Sequence, residues 1–223
     1  MSMHESCGVT DHCDSMGWSD DEVFNSIYVG EPPHRVVLSV PGLRLIVDVS
    51  PLVAGHLLLV PERHYLSFGH LVPDLAGVVN ALVRRLRQAY VDVFGRMAVI
   101  EHRSSTTMPS ACITHAHWHL LPVDGKQIRR HIVNDGLKPA RIQTFEDLHR
   151  YASANQSYYY CSDGNSHDVF VADRTIRPQY LRSVVGRMLD IPDPEWDWSV
   201  VVRRHLMRET MRLTSGWAHE LLP

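Results

Sequence analysis

Apolar positions recur with two different periods along this chain. Three short runs rich in Val, Leu and Ile occupy 35–40, 44–49 and 56–60. Pro41-Gly42 separates the first two, and Pro51 and Gly55 precede the third, so the spacing predicts an antiparallel meander. From 75 to 94 the period lengthens. Leu75, Val78, Val79, Leu82, Leu86, Ala89, Tyr90 and Val93 share one helical face, while Arg84, Arg85 and Arg87 lie on others. Gly95 follows as the stop. Two more strands are predicted over 97–100 and 113–121, with a small-polar loop at 104–110 between them.

Beyond 135 a second set of elements follows. A short helix is expected at 145–152, and two strands at 158–161 and 169–171 flank Asp163-Gly164-Asn165 as a hairpin. Helices are expected at 179–189 and 201–213, joined by Ile191-Pro192-Asp193-Pro194 and by Trp196 and Trp198. There is no internal repeat or low-complexity tract. The pattern predicts an α+β fold: an antiparallel sheet of about five strands with one long helix, plus a C-terminal helical and hairpin extension. The expected units are a lead-in at 1–33, a catalytic domain at 34–135 and an extension at 136–223.

Composition narrows the function classes. The chain has 223 residues, 44 % hydrophobic and 21 % charged, enough to bury a sizeable core. A net charge of -3 gives no broad basic footprint for a nucleic-acid backbone, although a local patch for one small phosphate stays open. No apolar run approaches the ~20 residues of a membrane helix. The first residues lack a basic-then-apolar leader pattern, and Cys7, Cys13, Cys112 and Cys161 are scattered rather than framework-like. The expectation is a cytoplasmic protein with reduced thiols, no membrane and no extended nucleic acid.

Chemistry concentrates at Thr114-His115-Ala116-His117-Trp118-His119-Leu120-Leu121-Pro122. On a strand, His115, His117 and His119 share one face with neighbours ~6.6 Å apart, and Ala116, Trp118 and Leu120 take the other. One phosphate can touch two such imidazoles. Neutral imidazole is a good nucleophile at phosphorus, and the phosphoramidate it forms is opened by water. A neighbouring histidine can hold a phosphate oxygen or assist the leaving group. The same three rings could instead coordinate zinc as a three-histidine site, or be half-exposed strand residues without a task.

The run His115-Ala116-His117-Trp118-His119-Leu120-Leu121 resembles the histidine-triad (HIT) signature. Upstream, Asp48 to His64 resembles the same family in its Asp-φ-x-Pro…Gly-His-φ-φ-φ-φ-Pro-x-x-His pattern, through Pro51, Gly55-His56, Pro61 and His64. The resemblance covers 35–123. It implies His117 as the nucleophile that forms a nucleotidyl-histidine intermediate. His119 contacts the phosphate and helps the leaving group or water, and His115 supports. It further implies Asp48 as acceptor for ribose hydroxyls, Val49 on the base side, Ser110, Ala111 and Cys112 as the phosphate-side loop, and Glu101 as a polar residue reaching the nucleotide. Cys112 departs from the hydroxyl many members carry there and weakens a donor. His119 favours hydrolases over the transferases, which carry Gln.

Some bacterial members hold zinc with an N-terminal cysteine pair, the Pro-x-x-His histidine and the first triad histidine. Here those positions are Cys7, Cys13, His64 and His115, with His12 as an alternative ligand. Two unligated thiols are the other reading. The expected activity is cleavage at the α-phosphate of a nucleoside phosphate derivative (a dinucleoside polyphosphate, a phosphoramidate or similar), releasing a nucleoside monophosphate such as AMP. No cofactor is expected for the chemistry, zinc is expected only in a structural role, and a homodimer is carried over from the family. Two other functions stay open: a nucleotide-binding sensor with little turnover, and a metallohydrolase with zinc on the three histidines. Arg177, Gln179, Arg182 and Arg187 cluster on or near one predicted helix, either as a lid on the triad or as a solvated face.

Overall fold

The computed structural model describes residues 22–103, 115–172 and 176–222. The elements are α1 (Glu22–Ile27), β1 (Val36–Val40), β2 (Leu43–Val47), β3 (Leu57–Pro61), α2 (Phe68–Phe94), β4 (Ala98–Arg103), β5 (Trp118–Leu121), α3 (Gly125–Asn134), β6 (Pro139–Ile142), a 3-10 turn (Phe145–Asp147), α4 (Leu148–Ser153), β7 (Tyr158–Ser162), β8 (His167–Val171), α5 (Tyr180–Met188), α6 (Arg204–Leu213) and α7 (Trp217–Leu221). The fold is α+β, as the pattern predicts. The sheet differs in extent: among the described residues, eight strands run in the order β1-β2-β3-β5-β4-β7-β8-β6. Every pairing is antiparallel, and β7 pairs with β4 from Val99 opposite Ser162 to Arg103 opposite Tyr158. The hairpin expected as part of an extension therefore continues the same sheet past β4.

Both faces of this sheet are covered. Leu45, Leu59, Val99, Trp118 and Leu120 face a core closed by α2 and by Met207, Met211 and Trp217 of α6 and α7. Ala98, Ile100, Leu121, Tyr159 and Cys161 face a second core closed by α3 and α5 through Ile128, Ile132, Leu181, Val184 and Val185. Among the described residues, no helix is long and apolar enough to cross a membrane.

The long helix begins seven residues before the predicted start and contains Pro73. A proline there leaves the Gly69 carbonyl without its helical N–H partner. The His149 ring donates to that carbonyl through Nδ1 at 3.1 Å. The helix ends as predicted: Gly95 has φ +86° and its N–H donates to Val91 O at 2.7 Å. The turn after β7 also forms as predicted, with Asp163 Oδ1 accepting from the Asn165 and Ser166 amides at 2.9 and 2.8 Å. The pattern does not reveal α3 or β6, which are short and carry few apolar residues.

One carboxyl lies inside the first core. Glu101 Oε1 accepts from the Phe68 amide at 2.6 Å, and Oε2 accepts from Tyr158 Oη at 3.1 Å and Trp118 Nε1 at 3.4 Å. Burial outweighs these hydrogen bonds and the nearby Arg103, and lifts its pKa from 4.5 to about 7. Between those values the unfolded chain has lost this proton and the folded chain keeps it. The stability owed to Glu101 is thus full below pH 4.5 and falls as pH rises to 7. Replacing Glu101 with Gln should raise the unfolding temperature relative to the parent more at pH 8 than at pH 5. Thermal melts at the two pH values check this, and an equal offset at both refutes it.

Candidate active site

The pleat alone assembles most of the site. Ile46 pairs with Leu58, and Leu58 with His119, so all three side chains share a face. Asp48 lies two residues beyond Ile46 and His56 two before Leu58, so both project beside His119. On the other side of β5, Ile100 pairs with His119, and His102 follows on the same face two residues later. His115 to His117 form an irregular lead-in rather than part of the strand, which is shorter than the predicted 113–121. The Ala116 amide fixes this lead-in by donating to Tyr65 O at 2.7 Å.

Hydrogen-bond partners assign the protons on the rings. A carbonyl only accepts, so the bond of 2.9 Å between His117 Nδ1 and His115 O places the proton of neutral His117 on Nδ1. Its lone pair is on Nε2. The Leu52 amide donates to His56 Nδ1 at 3.2 Å, which puts the His56 proton on Nε2. That N–H donates to His119 Nδ1 at 2.9 Å, so neutral His119 carries its own proton on Nε2. The His117 and His119 rings lie 4.8 Å apart and nearly perpendicular. A lone pair and an N–H are therefore adjacent, and His117 keeps partial solvent access while His119 and His56 are buried.

All three imidazoles are held neutral. Burial lowers His117 first, and its bond to the His115 carbonyl and the Asp48 charge recover only part of the shift, with Arg182 opposing. Burial lowers His56 to about 4 against the pull of Asp48. His119 falls well below its ordinary value through burial and then His117, His56, Arg182 and His102.

Arg182 is the charge behind this site. Its Nη1 donates to Asp48 Oδ2 at 3.0 Å, Nη2 to Ser50 O at 2.7 Å and Nε to Trp196 O at 3.1 Å. The Ser50 amide donates to the other Asp48 oxygen at 2.6 Å. Burial alone would raise the Asp48 carboxyl, but Arg182, His56, the Ser50 amide and Arg35 together hold it below the ordinary value. Trp196 approaches closely because it stacks on Gly186, where an added Cβ would lie 2.7 Å from the Trp196 Cβ.

Several sequence expectations change. Asp48, read as the ribose acceptor, is 4 % exposed and engaged by Arg182 and Ser50. Glu101, read as reaching the nucleotide, lies on the opposite face of the sheet, and His102 takes the face of the triad. Val49 packs against the core under α2, away from the Asp48 side chain. His115 is buried and donates through Nε2 to Pro61 O at 2.8 Å, so its ring supports the lead-in. Of the arginine cluster, Arg182 alone enters the site. Arg187 pairs with Asp135 and Arg177 with Asp193 at the surface. Ser110, Ala111, Cys112, Cys7, Cys13 and His12 lie outside the described residues.

Sequence reasoning quoted His56 in a motif without giving it a role, though strand parity could have placed it. Arg182 lay in the arginine cluster, and nothing in the sequence pointed to a partner 134 residues away.

Metal fits this geometry poorly at the triad. Asp48, His56 and His119 present donor atoms within 4.8 Å of one another. The Arg182 guanidinium already satisfies Asp48, and the two rings already share a hydrogen bond. Among the described residues, His115 and His117 belong to no such donor cluster with His119. His64 and His115 form a separate pair, with ring centroids 5.4 Å apart.

Residues 29–126 match the HIT domain. An uncharacterised HIT-like protein of Mycobacterium tuberculosis is 26 % identical over 104 residues, covering 45 % of this chain and 69 % of that one. An uncharacterised HIT-like protein of Methanocaldococcus jannaschii is 24 % identical over 101 residues, covering 45 % and 77 %. Among solved structures, a hypothetical histidine triad nucleotide-binding protein of Sulfolobus tokodaii is 18 % identical with a TM-score of 0.34. That match spans 45 % of this chain and 65 % of that protein, less than two thirds of its length.

Removing Arg182 strands a buried carboxylate. Arg182→Met should cost about 3–5 kcal/mol in urea unfolding, and Arg182→Lys should recover only part, because an ammonium cannot reach all three acceptors. A loss under about 1 kcal/mol for Met, the scale of a surface pair, rejects the clamp.

Proposed function

We propose that this chain is a nucleotide hydrolase that cleaves at the α-phosphate of a nucleoside phosphate derivative in two steps. The observation that carries the reading is the His117 ring itself: proton fixed on Nδ1 by a carbonyl, lone pair on Nε2 of a partly exposed ring, and pKa depressed. In the first step the Nε2 lone pair forms a bond to phosphorus. The bond from phosphorus to the leaving group breaks, and its electron pair leaves with that group. The His119 Nε2–H stabilises the departing atom by hydrogen bonding, which suffices when that atom is a phosphate oxygen; an amine leaving group departs neutral, its nitrogen having taken a proton from solvent. His117 is then a phosphorylated imidazolium, and the carbonyl of His115 stabilises its Nδ1–H.

In the second step water attacks phosphorus and the P–N pair returns to Nε2. Neutral imidazole leaves, a nucleoside monophosphate departs, and the water proton goes to solvent. Arg182 adds positive charge near the phosphoryl group and keeps the imidazoles unprotonated. Asp48 and His56 act behind His119, fixing its tautomer as positioning residues. In this reading 34–135 supplies the nucleophile and 136–223 supplies the cation that holds Asp48.

His117→Gly should lower turnover of adenylated substrates by roughly 10³-fold or more while nucleotide binding persists. Mass spectrometry of parent protein, quenched rapidly without acid, should find a nucleotidyl adduct on His117 that the variant lacks. The rate should rise as pH climbs through a pKa below 6.5 and level off near neutrality, because the lone pair exists only on the unprotonated ring. Equal slow hydrolysis by parent and variant refutes the enzyme and leaves a binding module.

The His64 and His115 pair supports a structural zinc site in the same protein. With His115 Nε2 donating to Pro61, a metal would take Nδ1. Thiolates from Cys7 and Cys13 would complete a closed site of two sulfurs and two imidazoles that stabilises the fold without chemistry. Metal analysis should give about one zinc per chain, and chelation should lower the unfolding temperature while the rate at 25 °C holds. A rate that vanishes on chelation at a temperature where the fold persists points instead to metal-dependent hydrolysis.

A further inference from the structure

Next to Arg182 lies a second guanidinium that the proposed reaction does not use. Arg203 sits at the start of α6 with its side chain only 12 % exposed. Its acidic neighbour is Glu195, with Nη2 3.7 Å from Oε2, longer than a hydrogen bond, and the Glu195 side chain is 49 % exposed. The Arg203 Nη1 is buried with no hydrogen-bond partner among the described residues. A buried donor left this way carries a desolvation cost that an incoming acceptor removes.

This stretch is laced to the loop between β2 and β3, which carries Asp48 and His56 at its ends. The Ser50 hydroxyl donates to Val201 O at 2.5 Å, two residues before Arg203. The Gly55 amide donates to Thr210 Oγ1 of α6 at 2.9 Å. Residues 195 and 196 lie between the two cations: Glu195 faces Arg203, and the carbonyl of Trp196 accepts from Arg182. Burial depresses Arg203, Glu195 opposes this, and the repulsion from Arg182 adds to it. Two guanidiniums near one another in a largely desolvated wall are a standing repulsion that a multivalent anion relieves.

We propose that Arg203 receives a second anionic phosphate of the substrate, distinct from the phosphoryl group attacked by His117. This rests on the nucleotide reading above and names its substrate class: nucleotides with at least one phosphate beyond the reacting one. That phosphate belongs either to a polyphosphate leaving group or to a phosphorylated ribose. The chemistry at Arg203 is the same for both, and Asp48 is already committed to Arg182, so a charged group is the better match for this wall than a sugar hydroxyl.

The experiment compares three adenosine substrates: a 5′-phosphoramidate with one phosphorus, its 3′-phosphorylated form, and a dinucleoside tetraphosphate. Arg203→Met should lower the ratio of kcat/KM for a phosphate-rich substrate over the single-phosphorus one by about 10-fold or more, mainly through KM. Arg203→Lys should restore part of that ratio. Loss confined to the tetraphosphate places the anion on the leaving group, and loss confined to the 3′-phosphate places it on the ribose. Glu195→Gln, a change at a half-exposed side chain, should strengthen inhibition by inorganic triphosphate several-fold. An unchanged ratio in Arg203→Met, or an equal fall for all three substrates, overturns the proposal. If the parent protein turns over none of the three, the hydrolase reading fails and the Arg203 proposal is decided by calorimetry. Parent protein must then bind adenosine 3′,5′-bisphosphate or ADP more tightly than AMP, and Arg203→Met must lose that preference; no preference in the parent refutes it.

Discussion

The ion pair between Arg182 and Asp48 is the constraint on which the site depends. A carboxyl buried in that position without a cation would take up a proton, because burial is the largest influence on it and acts upward. Arg182, together with His56, the Ser50 amide and Arg35, reverses the balance. An ionised Asp48 can then stand 3.5 Å from His56 Nε2 and favour the tautomer that keeps the His56 proton on that nitrogen. Buried pairs of this kind add little net stability over an apolar pair, yet breaking one is expensive. The interaction therefore specifies an arrangement more than it strengthens the fold.

The same guanidinium sets the sign of the field at the triad. A cation close to three imidazoles disfavours a further positive charge, and Arg182 lowers His56, His117 and His119 alike. The Asp48 charge pulls His56 and His117 the other way, but burial decides the outcome. The result is a wall that is positive toward an anion and still leaves the His117 Nε2 lone pair unprotonated. A site of protonated histidines would attract phosphate as well, but it would have no lone pair to offer.

How much of this was legible follows from the range of each interaction. Alternation along 44–60 and 115–121 is local, and it suffices to put Asp48, His56 and His119 on one face. Helix periodicity found α2 from Leu75 onward. It missed the first turns because Pro73 argues against a helix unless His149, far along the chain, takes up the orphaned carbonyl. Glu101 went wrong by a single residue. In a strand that shift reverses the face, so the carboxyl belongs to the core and His102 to the triad side. Arg182 was visible as one of four polar residues on or near a helix, but its selection needed the packing of Trp196 on Gly186 and of α5 on β4, which no local pattern encodes.

That last dependence bears on where the structural unit around the triad ends. The HIT domain match stops at residue 126, yet neither the sheet nor the second core does. β4 is flanked by β5 on one side and by β7 on the other. Without β7 its full edge would be an unpaired row of N–H and C=O groups beside the triad strand. Ile100 and Leu121 would lose Leu181, Val184 and Val185 as cover, and Asp48 would lose its cation. The residues after 126 therefore complete the site from behind: they close the sheet edge, bury the triad face and supply the charge that keeps Asp48 ionised.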